Sequence, residues 1–229
     1  FYASIFSFDA GRNAGRTGLH IEFEGKRKEH LERYPVWTTT FNMDYHDISE
    51  NAVDPDYYDS GELATGYAEM ELYNRPNPFL TYYFRSALKT GIVNSQFLRV
   101  NLQTNIYYKF TKKLKAKLRI WVGGFLDSTN IPKQYFTFLS GNIDPDFRNN
   151  YLINRTADIN DASVGIRQYD IGGPSLHGLV INENDKMLGV NNWVISANYE
   201  MNIPKIPGKP FMDAAKIPGG DSYFDFGLK

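Results

Sequence analysis

The chain has 229 residues, a formal net charge of −1, 15% aromatic residues with 16 Tyr and 16 Phe, and no cysteine. The near-neutral balance argues against a nucleic-acid binder, which carries a basic excess, and the lack of cysteine excludes a disulfide scaffold and thiolate metal sites. No apolar run approaches the roughly 18 residues that mark a transmembrane helix, and a mean hydropathy of −0.45 leaves open a membrane β-barrel, whose strands are half polar.

In chain order, residues 2–9 read as a first strand. Because that run begins at once, no signal peptide is visible, and the chain reads as an internal fragment with sequence missing on its N-terminal side. Ala10-Gly11-Arg12-Asn13-Ala14-Gly15 is a glycine-rich turn, after which Leu19, Ile21 and Phe23 alternate with His20, Glu22 and Glu24. A charged turn over 26–33 follows, and Pro35 opens the next strand, a position that tolerates proline. There Trp37, Thr39, Phe41, Met43 and Tyr45 share one face, while Thr38, Thr40, Asn42, Asp44 and His46 share the other. Aromatics at both ends of the first row fit the two interface belts of a membrane.

An acidic loop at 47–62 leads into 64–73, where Ala68, Met70 and Leu72 oppose Tyr67, Glu69 and Glu71. Arg75-Pro76-Asn77-Pro78 is a tight-turn signal. The return over 79–89 puts Leu80, Tyr82, Phe84 and Leu88 outward and Thr81, Arg85 and Lys89 inward, and 90–94 is a short connection.

The segment 97–126 is the strongest signal. Leu98, Val100, Leu102, Ile106, Tyr108 and Phe110 oppose Arg99, Asn101, Gln103, Asn105 and Lys109. After Thr111-Lys112-Lys113 the pattern restarts, with Leu114, Ala116, Leu118, Ile120, Val122 and Leu126 against Lys115, Lys117, Arg119 and Trp121. A period of two means strand, and these runs are roughly twice the usual 5–6 residues. An aliphatic row of that length opposite Arg and Lys fits a tilted strand with lipid outside and water inside.

Residues 127–185 form a long polar exception, and connections longer than about 15 residues are usually functional or disordered. In 187–203, Trp193, Ile195, Ala197, Tyr199 and Met201 oppose Asn192, Ser196, Asn198, Glu200 and Asn202. A rigid turn at 204–210 and strands at 211–217 and 222–229 complete the chain. Connections at 10–17, 47–62 and 127–185, with the shorter 90–94, alternate with tight ones at 26–34, 75–78, 111–113 and 204–210. Long loops outside and short turns on the periplasmic side are the barrel pattern. The expected fold is therefore all-β: a transmembrane antiparallel up-and-down β-barrel, with 1–229 part of one domain and 127–185 a long extracellular loop. About ten strands leave an open edge, which lipid does not tolerate, so further strands are expected.

Within the long loop, Ile171-Gly172-Gly173-Pro174-Ser175-Leu176-His177-Gly178-Leu179 resembles the loop signature of the BamA-type (surface-antigen) outer-membrane barrels. That signature is a two-glycine approach followed by an aliphatic-Arg-Gly-aromatic tetrad. The strand over 196–204 with Glu200, and Phe211-Met212-Asp213-Ala214, resemble the family's two following strands with their inward Glu and Asp. The resemblance implies a barrel of roughly sixteen strands. It also implies that the loop folds into the lumen, where Gly172, Gly173, His177, Gly178, Glu200 and Asp213 form a latch. Histidine stands where the family has arginine, and Leu179 where it has an aromatic. A permanent bidentate cation thus becomes a titratable one, raised by two carboxylates and weakened as pH rises. That departure removes the ground for carrying over the family's protein-insertion activity. More loosely, 194–215 resembles the C-terminal barrels that Bacteroidetes-type bacteria fuse behind an aminopeptidase-N-like zinc peptidase.

Plainer readings stand beside these. His177 is also an ordinary loop histidine, and Glu200, Asp213, Glu69 and Glu71 are ordinary acids of a wet wall. Lys28-Glu29-His30-Leu31-Glu32 lacks the second histidine of His-Glu-x-x-His, so this segment carries no catalytic residues of that class and no cofactor of its own. The expected role is a bacterial outer-membrane anchor for an upstream soluble domain, a zinc metallopeptidase, with zinc held there. Outer-membrane lipid and other outer-membrane or periplasmic proteins are the expected partners, and nucleic acid is not. The alternatives are an assembly or translocation barrel, a plugged porin-like channel, and a soluble Tyr-rich sheet.

Overall fold

Alternation at a period of two becomes strand nearly throughout. The computed structural model describes residues 2–9, 14–25, 36–48, 59–138, 173–174, 176, 189–220 and 222–228. The strands are β1 (Tyr2–Asp9), β2 (Ala14–Glu24), β3 (Val36–Ile48), β4 (Gly61–Asn77), β5 (Leu80–Val93), β6 (Gln96–Lys109), β7 (Lys115–Asn130), β8 (Thr137–Phe138), β9 (Gly189–Val190), β10 (Val194–Asn202), β11 (Pro210–Lys216) and β12 (Ser222–Leu228). Ten of them form one sheet in the order β1-β2-β3-β4-β5-β6-β7-β10-β11-β12, every neighbour antiparallel. The chain is all-β and builds an up-and-down meander. β8 and β9 pair separately as a two-stranded ribbon across the mouth of the long connection.

One face of the sheet shields polar side chains and the other exposes apolar ones. Asn42, Asp44, His46, Arg85, Lys89, Arg99, Gln103, Asn105, Arg119, Asn198 and Asp213 are buried. Phe41, Met43, Tyr45, Leu88, Leu102, Ile120 and Met212, their neighbours one residue along, are exposed, as is Ile195 beside the buried Ser196. Because side chains alternate strictly along a strand, every register that buries the polar row must expose the apolar one. A small apolar core does exist on the shielded side, where Trp121, Leu176, Val194 and Ala215 pack together.

Element ends differ from the expected ones in two informative places. β4 does not turn at Arg75-Pro76; it continues to Asn77, with a register shift between Asn74 and Asn77. Proline donates no ladder hydrogen bond, so the strand passes it at an irregularity. The turn falls at Pro78-Phe79 instead, held by Asn77 Oδ1, which accepts from the Phe79 and Leu80 amides at 2.9 and 2.8 Å. β7 likewise runs on to Asn130, past Asp127 where a loop was expected. Its polar last turn is still paired with β6, through two register shifts near Leu98.

Two glycines let the sheet accept large rings. A Cβ at Gly123 would lie 2.3 Å from the Trp121 indole, and one at Gly124 would lie 2.5 Å from the Trp193 ring and 2.8 Å from its Cα. Only a residue without a side chain fits there.

Candidate functional site: a loop segment clamped to the polar face

Register places a row of polar side chains side by side on the shielded face. Asn105 of β6 is opposite Arg119 of β7, Arg119 is opposite Asn198 of β10, and Asn198 is opposite Asp213 of β11. Arg119 is the centre of this row and as a residue is only 8% exposed. Its Nη1 donates to the Pro174 carbonyl at 3.1 Å and to Asn198 Oδ1 at 2.9 Å. Its Nη2 donates to Gln103 Oε1 at 3.0 Å and to the Gly173 carbonyl at 2.5 Å.

Burying a cation is costly unless its donors are satisfied, and here four oxygens meet the fork of one guanidinium. Two belong to the sheet and two to the long connection, so the same bonds that satisfy Arg119 hold that connection against the sheet. Ser196 Oγ donates to the Pro174 carbonyl as well, at 3.2 Å. Immediately beyond, Leu176 enters the core formed by Trp121, Val194 and Ala215, flanked by Val190, Ile217 and Tyr223. Polar bonds fix the position of the segment, and apolar burial of Leu176 adds about 1.5–3 kcal/mol of attachment.

The start of the same connection is seated on the polar face too. A 3₁₀ turn over Lys133–Tyr135 buries Gln134 and Tyr135. Arg99 Nη1 donates to the Tyr135 carbonyl at 3.1 Å and Nη2 to Thr137 Oγ1 at 3.3 Å. Lys89 Nζ sits 4.6 Å from the centre of the Tyr135 ring, within cation–π range. Asp59 closes the turn from the β4 side: its amide donates to Gln134 Oε1 at 3.0 Å, and its Oδ2 accepts from the Lys133 amide at 2.9 Å. Between the two seats, Arg85 pairs with Glu69 and approaches Glu71 at 3.6 Å, while Tyr67 and Tyr83 donate to Glu69 and Glu71 respectively.

Of the residues singled out from sequence, Gly173 and Asp213 join one network, through Arg119 and Asn198; Asn198 Nδ2 donates to Asp213 Oδ1 at 3.0 Å. Glu200 lies elsewhere, opposite Lys117 in a cleft at the turn end of the strands. Gly172, His177 and Gly178 lie outside the described residues. Among the described residues, the cation that grips Gly173 and Pro174 is Arg119 of the sheet, which sequence reading marked only as inward-facing. Its partners are main-chain carbonyls, and those carry no side-chain signature. A guanidinium keeps its proton at any physiological pH, so this arrangement positions a segment and does not shuttle protons. Among the described residues, no three His, Asp or Glu side chains converge as a metal site.

No protein-family model matches the chain, and no curated protein matches it by sequence.

Proposed function

We propose that the chain forms the wall of a bacterial outer-membrane β-barrel related to the BamA-type superfamily. It serves as the membrane anchor of a protein whose soluble part, a zinc metallopeptidase, is carried upstream. The observation behind this reading is the inversion of the two faces. Arg85, Lys89, Arg99 and Arg119 are shielded, while Met43 is 58% exposed, Phe41 45% and Leu126 63%. A soluble monomer rarely leaves apolar patches beyond a few hundred Å² open to water. Acyl chains would cover this face without cost, and the charged face would line the lumen.

The BamA-type relationship draws support from the seat of Gly173, Pro174 and Leu176 on the charged face, with an inward Asp213 in the network that holds them. The clamped segment also supports an anchor over an open channel, since in a closed barrel a segment held against the charged face would narrow the lumen. The peptidase rests on residue likeness in 194–215 alone.

Fractionation of the expressed protein tests the membrane reading. The protein is expected in the membrane pellet after alkaline carbonate extraction and in the detergent phase on phase separation. Recovery in the aqueous phase without detergent would overturn it. Zinc analysis of the intact parent protein tests the upstream domain, and a zinc-free parent without peptidase activity would remove that part.

A further inference from the structure

At the turn end of β6, β7 and β10, the face that carries Arg119 becomes open and holds an unusual concentration of positive charge. Lys109 stands opposite Lys115, and Lys115 stands opposite Asn202; in the next row Tyr107 stands opposite Lys117, and Lys117 opposite Glu200. These side chains, with Lys209 from the following turn, line a cleft of about 320 Å³. Lys112, Lys113 and Lys205 lie in the two turns that border it. Like charges directly opposite one another weaken a sheet, and among the described residues Glu200 is the one carboxylate lining the cleft, against four lysines. The chain as a whole is nearly neutral, so this clustering is local. A bound anion would relieve the repulsion between the facing Lys109 and Lys115.

We propose that this cleft is a binding site for a phosphate-bearing anion, either a small phosphate or diphosphate or the phosphodiester of an anionic lipid headgroup. The lining favours phosphate over a carboxylate. Among the described residues lining the cleft no arginine offers the planar fork that suits a carboxylate, whereas four lysines border it, and ammonium groups on flexible stems can reach a tetrahedral group from different directions. Tyr107 adds a ring beside Lys117, whose Nζ lies 5.8 Å from the ring centre, and a hydroxyl donor. Glu200, opposite Lys117, excludes ligands that need the cleft to be wholly cationic and leaves Lys109, Lys115 and Lys209 as the main contacts.

Acetylation footprinting of the full chain in nonionic detergent, read by mass spectrometry, tests the site. The probes are sodium pyrophosphate, micelles doped with phosphatidylglycerol, and micelles doped with phosphatidylcholine. Lys115 is expected to be protected saturably, with Lys133, just beyond the opposite end of β7, as the unaffected control. Protection by pyrophosphate identifies a small phosphate ligand; protection by phosphatidylglycerol alone identifies the headgroup. The double variant Lys109→Gln with Lys209→Gln, both at strand ends where folding tolerates the change, is expected to raise the half-protecting concentration roughly tenfold, as the loss of charge-assisted bonds does. No protection by either phosphate, equal protection by phosphatidylcholine, or an unchanged titration in the double variant would overturn the proposal.

Discussion

Asn198 Nδ2 donates to Asp213 Oδ1 across 3.0 Å, and in doing so turns the amide oxygen of Asn198 toward Arg119. An amide has one donor end and one acceptor end, so the aspartate decides which end the guanidinium meets. Removing the carboxylate frees the amide to rotate and to present hydrogens to a cation. Asp213→Ala is therefore expected to cost about 1–3 kcal/mol of unfolding free energy, because the carboxylate orients the amide that Arg119 meets. In a double-mutant cycle with Asn198→Ala, the two costs should fall short of additivity by roughly 0.5–3 kcal/mol, as members of one network do. Urea unfolding midpoints give the four values, and strict additivity would separate Asp213 from the clamp.

Arg119→Lys tests whether geometry or charge holds the segment. An ammonium supplies three donors from one point and cannot span four oxygens spread on either side of a fork. The Gly173 and Pro174 carbonyls are then left short of partners, and the expected loss is about 2–4 kcal/mol. Cleavage by added protease within 139–172 should quicken in parallel. Arg119→Lys matching the parent protein in both measurements would mean that Leu176 alone seats the segment.

What was legible in the sequence, and what was not, divides along physical lines. Strand number and face assignment follow from alternation, so Phe41, Met43, Ile120 and Ile195 are on the exposed face and Asn42, Arg85, Arg99 and Asn198 on the shielded one, as the sequence pattern leads one to expect. Strand ends were less legible, because the paired but polar stretch at Asp127–Asn130 has a loop's composition. The clamp was half legible. Gly173 and Asp213 stood out, but the bonds of Arg119 to two backbone carbonyls could not, since any residue supplies a carbonyl. Glu200 and Asp213 look equivalent in sequence; only register separates them, giving Asn198 to one and Lys117 to the other.

Gly124 offers a test of close packing. A Cβ there meets the Cα of Trp193 at 2.8 Å, and backbone cannot step aside as a flexible side chain can. Gly124→Ala should cost about 1–3 kcal/mol through forced displacement. Trp193 opens the segment leading into β10, so its fluorescence maximum is expected to shift in the folded state as well. A variant with the parent's stability and spectrum would show that the two strands have room between them that the geometry does not suggest.

Lysine substitution along β7 distinguishes lipid from water on the exposed face. Ile120 is near the middle of the strand, 40% exposed, between Thr104 and Ala197 in register. Leu126 faces the same way nearer the long-loop end and is 63% exposed. On a sheet bathed in water, lysine at either position should change stability by no more than about 0.5 kcal/mol, and the more exposed site should tolerate it better. In a bilayer the cost follows depth instead, about 2–4 kcal/mol at the midplane and falling to about 0–1 near the interface. Ile120→Lys is thus expected to impair folding into liposomes far more than Leu126→Lys, while the same pair in a detergent micelle should differ less. Equal and small effects at both sites would mean that no depth gradient acts on β7, and the aliphatic row would then have to be covered by something other than lipid.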